Sequence, residues 1–158
     1  MGIVIAVFFR WLHLISACIL IGSVFFYHFL LPSGVRAMEA DAGEAAERRW
    51  RRGFKLTVHA TLLMFLISGA YNAVRNWPIY TMRPGVMHGM FGMHVLLGLA
   101  GITLLMIVLA GREAKGRRTP WVRWALALLV LGVAAGSTLK AARESTLANP
   151  PPVHHGIR

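Results

Sequence analysis

The chain is short of charged residues, and acidic residues are especially few. Only 15% of its 158 residues are charged, whereas a soluble domain of ordinary composition carries about 25%. All 6 of its Asp and Glu residues lie outside the long apolar runs, so the runs hold no carboxylate pair for hydrolytic chemistry. This composition indicates helices that cross a lipid bilayer and argues against a water-facing globule.

Cysteine is nearly absent, because Cys18 is the only one in the chain. A lone cysteine can form no intrachain disulfide, and it cannot build a thiolate zinc site. Cys18 lies within an apolar run, so we expect it to be buried as a small hydrophobic residue.

Four long apolar runs predict four transmembrane helices, at about 3–31, 54–74, 87–111 and 121–139. Each is close to or above the ~20 residues that a helix needs to cross a bilayer. Residues 37–53 predict a cytoplasmic amphipathic helix, with its acidic residues first and its arginines last, the order that a helix dipole favours. Residues 145–158 predict a loose tail. The chain is thus predicted to be one all-α membrane domain, an up-and-down four-helix bundle.

The basic residues are distributed unevenly between the two sides of the predicted bundle. Eleven of the 17 Lys and Arg residues fall in the 32–55 and 111–123 loops, and six fall elsewhere. The positive-inside rule places these loops in the cytoplasm and both termini outside, as in a bacterial-type inner membrane. The net charge of +11 therefore reflects membrane orientation, and nucleic acid is excluded as a partner. We expect membrane lipid as a partner, together with other membrane subunits or a redox partner.

The predicted spans contain no Asp or Glu, but several histidines lie within them or near their ends. His13 and His28 are separated by about 60° around one helix and about 22 Å along it. One helix face therefore carries His13, Ala17, Leu20, Val24 and His28, and both histidines can face the bundle at opposite depths. His59 matches the level of His28, and either His94 or His88 matches that of His13. Neutral imidazoles are the usual axial ligands of b-type haem. The pattern predicts two bis-histidine haems, or a single one held at the level of His13.

Each of these assignments has a simpler alternative. His94, Gly98 and Gly101 share one helix face, where glycines leave room for a flat macrocycle or merely let two helices pack closely. His94 itself is as well explained by packing as by ligation. His28 and His59 lie near the membrane interface, where polar residues are common without any ligand.

A copper site competes for some of the same residues. Met87, Met90 and His94 recur at helical spacing, and His88 lies beside them. Thioether and imidazole ligands suit Cu(I), and the site would lie at the outer surface. The alternative is that the methionines are adaptable packing residues.

Five short motifs lie in or beside the predicted spans: Trp11-Leu12-His13, Arg48-Arg49-Trp50, Val58-His59, Ser68-Gly69-Ala70-Tyr71-Asn72 and Met87-His88. Together they resemble the copper-resistance protein D (CopD-like) membrane family. The likeness covers most of residues 8–140 and implies a four-helix inner-membrane unit with a role in copper uptake or haem metabolism. Carried over by position, it points to His13, His59 and His88. The family pattern often has a lysine where this chain has His94, which would give this chain a ligand that its relatives lack.

A weaker likeness is to HemJ-type protoporphyrinogen oxidases, which is carried by Leu12-His13 and Tyr27-His28. The lysine expected in the third span of that family is absent. The leading functional hypothesis is a membrane-embedded b-type haem protein that passes electrons across or along the membrane. The alternatives are CopD-like copper binding or transport, a HemJ-like oxidase, and a non-catalytic subunit of a respiratory complex.

Overall fold

The computed structural model describes residues 2–110 and 115–150, which are helical apart from short turns. A π-helical turn, Phe26–Leu30, joins the first two of five α-helices. Within these ranges four stretches are long and apolar enough to cross a membrane: Gly2–Arg36, Ala40–Tyr80, Pro84–Leu109 and Pro120–Ala148. The predicted all-helical class with four helices of spanning length is therefore confirmed. The helices are α1 (Gly2–Phe25), α2 (Leu31–Arg36), α3 (Ala40–Tyr80), α4 (Pro84–Ala110) and α5 (Lys115–Ala148).

The first helical stretch continues beyond the proline that follows the first apolar run. Leu31 donates its backbone N–H to the carbonyl oxygen of Phe26, five residues earlier, so the turn before Pro32 is wider than an α-turn. Proline is tolerated in the first turn of a new helix, where its missing N–H is not needed. The chain consequently remains helical to Arg36.

Two other boundaries also differ from the sequence pattern. The predicted surface helix at 37–53 and the predicted span at 54–74 are parts of one continuous helix, α3. The sequence places no proline between Ala40 and Trp77 to interrupt it. The predicted tail begins inside α5, which continues to Ala148, and residues 151–158 lie outside the described residues.

The long helices associate as two antiparallel pairs. In the first pair Phe9 stacks on Tyr71 and Tyr27 stacks on Phe54, so α1 and α3 run in opposite directions. In the second pair Met87, near the start of α4, packs with Leu139, near the end of α5. A Cβ on Gly101, further along α4, would contact Leu129, which comes earlier in α5, so α4 and α5 also run in opposite directions. Contacts between the two pairs are far fewer than contacts within each pair.

Two apolar clusters join the helices at different levels. The larger cluster includes Leu20, Val58, Ile102 and Leu129, and residues of α1, α3, α4 and α5 all contribute to it. The smaller one consists of Tyr80, Met87 and Leu139 with partly buried neighbours. It lies at the end where α3 turns into α4, hereafter the α3–α4 end.

The predicted inner face of the first span is correct, but the expectation for its cysteine is wrong. Ala17, Leu20 and Val24 are buried, as their helical spacing predicts. Cys18 is exposed, because it lies about 100° around the helix from Ala17. Outward-facing apolar residues are abundant on all the long helices, as expected for surfaces in contact with lipid.

Candidate functional site

A cavity of about 610 Å³ lies between the two helix pairs. It is bordered by residues of both apolar clusters, such as Leu20 and Ile102 of the larger one and Tyr80 of the smaller one. Its volume falls within the range of ~300–1,000 Å³ that is typical of small-molecule and cofactor pockets. His13 and His94 both line it, so the cavity contains two of the histidines that the sequence singles out.

The imidazole of His13 is oriented by the helix that pairs with α1. Its Nδ1 lies 3.1 Å from the carbonyl oxygen of Phe65 and 3.3 Å from Oγ of Ser68. Because a carbonyl oxygen can only accept, the geometry selects the tautomer whose Nδ1–H donates to Phe65. The ring also stacks on the Phe65 ring with centroids 4.2 Å apart. The Nε2 lone pair of His13 is thereby left as the available acceptor.

The imidazole of His94 is held in the same manner by the other helix pair. Its Nδ1 lies 2.8 Å from the carbonyl oxygen of Gly132 in α5, so Nδ1–H is again the donor and Nε2 carries the lone pair. No hydrogen bond to Nε2 of either His13 or His94 is found among the described residues. Metal-binding histidines commonly show this arrangement, in which one ring nitrogen donates to a backbone carbonyl and the other binds the metal.

The two imidazoles are separated by a distance suited to one shared metal ion. Their ring centroids are 6.3 Å apart and their planes are inclined at 65°. Metal–imidazole bonds are about 2.0 Å long and a ring nitrogen lies about 1.1 Å from the ring centre, so two opposite ligands would place their centroids about 6.2 Å apart. The separation of the His13 and His94 rings therefore matches that of two imidazoles bound to one metal ion.

Glycines make room for both rings. A Cβ at Gly69 would lie 3.1 Å from Cε1 of His13, and a Cβ at Gly136 would lie 3.0 Å from Cε1 and Nδ1 of His94. The glycines predicted beside His94 have different surroundings from each other. Gly98 borders the cavity and also lies against Gly132 of α5, whereas Gly101 packs against Leu129, where an added Cβ would be 3.0 Å from Cγ. Close packing of α4 against α5 is thus observed at both glycines, and Gly98 borders the cavity as well.

The donor set is smaller than that of ordinary zinc sites. Among the described residues, no group of three or more His, Cys, Asp or Glu side chains could hold a metal. Structural zinc sites take four protein ligands, and catalytic ones take three. Two imidazoles would instead suit an iron whose remaining ligands come from a macrocycle.

The other three candidate haem ligands, His28, His59 and His88, do not line this cavity. His28 lies in the π-helical turn, and its ring contacts Tyr27 and Phe54. His59 is exposed, and its Nδ1 lies 2.7 Å from the carbonyl oxygen of Lys55 in its own helix. The structure therefore brings together His13 and His94, which were predicted at one depth, in a cavity that neither His28 nor His59 lines.

The side chains of the four residues in the copper hypothesis lie in different surroundings. Met87 is buried in the smaller apolar cluster, and Met90 packs against it. His88 is exposed and stacks on Trp77, with ring centroids 5.3 Å apart, while His94 lines the cavity. The methionines therefore have the surroundings of packing residues.

Sequence reasoning missed most of the residues that orient the imidazoles. The carbonyl groups of Phe65 and Gly132 carry no residue-specific signal, because any residue could supply them. Gly69 was part of a recognised motif, but its contact with His13 depends on the pairing of α1 with α3. The chain matches no protein-family model, and no curated protein or solved structure shows significant similarity to it.

Proposed function

We propose that this chain is a membrane-embedded b-type haem protein with His13 and His94 as axial ligands. The observation that carries the proposal is the spacing of the two imidazoles in one cavity, since their centroids are 6.3 Å apart and their Nδ1 atoms face backbone carbonyl oxygens. Haem supplies one-electron chemistry at its iron. The protein contributes the two axial nitrogens, an apolar cavity and exclusion of water.

The residues that line the cavity support haem over a zinc ion. Two imidazoles without a third protein ligand suit an iron that is already held by a porphyrin. The glycines Gly69, Gly98 and Gly136 keep side-chain atoms away from the space beside the rings. The proposal is for one haem, because His28 and His59 do not line the cavity.

The proposed topology places this haem close to one membrane surface. With the two basic loops in the cytoplasm, an up-and-down bundle has the α3–α4 end outside a bacterial-type inner membrane. His13 lies in the half of α1 nearer this end, since Asn72, one turn beyond Ser68 in α3, donates to the carbonyl oxygen of Phe9. We infer that electrons are exchanged with a redox partner on this side, as expected of a subunit of a redox complex.

Haem content of purified variants tests the proposal directly. A reduced-minus-oxidised visible spectrum of the wild-type protein should show the sharp alpha band of low-spin bis-histidine haem. His13→Ala and His94→Ala should each weaken haem binding by more than about 100-fold, since even residues that only orient a metal ligand contribute 10–100-fold. Both variants should lose the band.

Two further histidine substitutions are matched controls in the same chain. His59→Ala removes an exposed ring that bonds only to its own helix, and His88→Ala removes an exposed ring stacked on Trp77. Both should keep the full spectrum. A colourless wild-type protein, or full haem in both His13→Ala and His94→Ala, would refute the proposal. Loss of part of the haem in His59→Ala would instead show a second haem.

A further inference from the structure

Five polar residues line the cavity at its α3–α4 end: Arg10, Asn72, Asn76, Lys140 and Arg143. Hydrogen bonds hold this group at one level of the molecule. The Asn72 side chain donates to the carbonyl oxygen of Phe9 at 3.3 Å, and Nη1 of Arg143 donates to Oδ1 of Asn76 at 2.7 Å. Side chains from α1, α3 and α5 therefore form a cationic mouth on an otherwise largely apolar cavity.

Carboxylates of the described chain neutralise the cationic mouth only at Lys140. Glu144 forms an ion pair with Lys140 at 3.5 Å. Neither Arg10 nor Arg143 has an ion pair among the described residues. Ionisable residues near the membrane interior are costly and usually functional. Two guanidinium groups without carboxylate partners indicate a site for an anionic ligand, because guanidinium groups pair well with carboxylates and phosphates.

The cavity changes character along its length. Following α1, Arg10 comes first, His13 lies one turn deeper, and Leu20 lies two turns deeper still. Helix α5 changes in the same direction, with Arg143 at the mouth and Leu129 at the deep end. A suitable ligand therefore has an anionic edge, a centre that binds imidazole, and an apolar edge.

We propose that Arg10 and Arg143 bind the two propionate carboxylates of the haem, which fixes the orientation of the macrocycle. The inference rests on the proposed function. The propionate edge lies at the α3–α4 end, and the apolar edge lies towards Leu20 and Leu129. Arg143 is already oriented by Asn76, whereas Arg10 is exposed and reaches the ligand from the opposite wall of the mouth.

Titration of the haem-free full-length protein in neutral detergent tests this assignment with two ligands. One is protohaem, and the other is its dimethyl ester, which keeps the iron and the macrocycle but lacks both carboxylates. The wild-type protein should bind protohaem about tenfold more tightly than the ester, as expected for hydrogen bonds to a charged group. Arg10→Gln and Arg143→Gln should each lower affinity for protohaem and leave affinity for the ester unchanged. Arg75→Gln is the control, because Arg75 is exposed on α3 and does not line the cavity.

The possible outcomes separate this inference from the proposed function. If the wild-type protein binds both ligands equally well through His13 and His94, the propionate assignment is overturned while the haem proposal stands. If neither ligand binds, the proposed function itself fails. A lipid phosphate group is the other anion that could bind the two arginines, and added phosphatidylglycerol tests for it. If the arginine variants lose lipid binding but keep the preference for protohaem, the site binds a lipid phosphate and the propionate assignment is wrong. Arg10→Gln keeps the test valid if Arg143→Gln fails to fold, because Arg10 makes no hydrogen bond or ion pair within the described residues.

Discussion

Gly136→Ala is the most informative single substitution, because it adds one methyl group directly against a proposed ligand. The new Cβ would lie 3.0 Å from both Cε1 and Nδ1 of His94, whereas unstrained contacts between such atoms are about 3.5–4.0 Å. The ring cannot move away freely, because Nδ1–H donates to the carbonyl oxygen of Gly132 at 2.8 Å. The added methyl group must therefore displace the imidazole or weaken that hydrogen bond.

The expected change in the stability of Gly136→Ala is the sum of unfavourable and favourable contributions. Overpacking a well-filled site costs ~1–3 kcal/mol, and weakening the hydrogen bond costs up to ~1 kcal/mol. Replacing a helical glycine by alanine contributes a stabilisation of about 0.5–1 kcal/mol. We expect Gly136→Ala to destabilise the protein by about 1–2 kcal/mol on these terms and to reduce its haem content. Thermal unfolding in detergent and the reduced-minus-oxidised spectrum measure the two effects.

Gly92→Ala is the matched control for this substitution. Gly92 lies in the same helix as His94, and an added Cβ would meet nothing within 4 Å. This variant should therefore keep all its haem and gain up to about 1 kcal/mol of stability. Full haem content in Gly136→Ala, together with a thermal midpoint as high as that of Gly92→Ala, would refute the argument.

Two further predictions concern topology and copper. Reporter fusions at Gly34 and Gly116 should behave as cytoplasmic and a fusion after Asn149 as external, because of the uneven distribution of basic residues. An external reporter at Gly116 would reverse the assignment of the haem to the outer side. Replacing Met87 and Met90 together with leucine preserves apolar volume and should leave both haem content and any copper content unchanged. Copper lost from that variant, measured by elemental analysis, would show that the methionines are ligands.

The sequence predicted the spans and the inner face of α1 because both depend on local periodicity. Ala17, Leu20 and Val24 are buried, as a stripe at helical spacing requires. The helix boundaries were less predictable. A single π-helical turn before Pro32 carries the first stretch to Arg36, and such a turn has no clear signature in the sequence.

The candidate site could be predicted only as a set of alternatives. Matching depths linked His13 with either His88 or His94, which lie about 120° apart on one helix. The structure places His94 in the cavity and His88 on its exposed outer side, against Trp77. That distinction depends on how α4 is rotated against α5, which follows from close contacts such as that between Gly132 and Gly98. Their roles as haem ligands remain predictions.

The pairing of the helices explains how the two imidazoles are oriented independently of each other. His13 is oriented within the first pair, because α3 supplies its hydrogen-bond acceptor. His94 is oriented within the second pair, because α5 supplies its acceptor. Each pair can thus fix its own imidazole before the two pairs meet, and the site is completed where they associate. A haem bound to both rings would add a strong link at an interface that has few contacts of its own. Binding that favours the associated state stabilises it by mass action, so the proposed cofactor would hold the two halves of the molecule together.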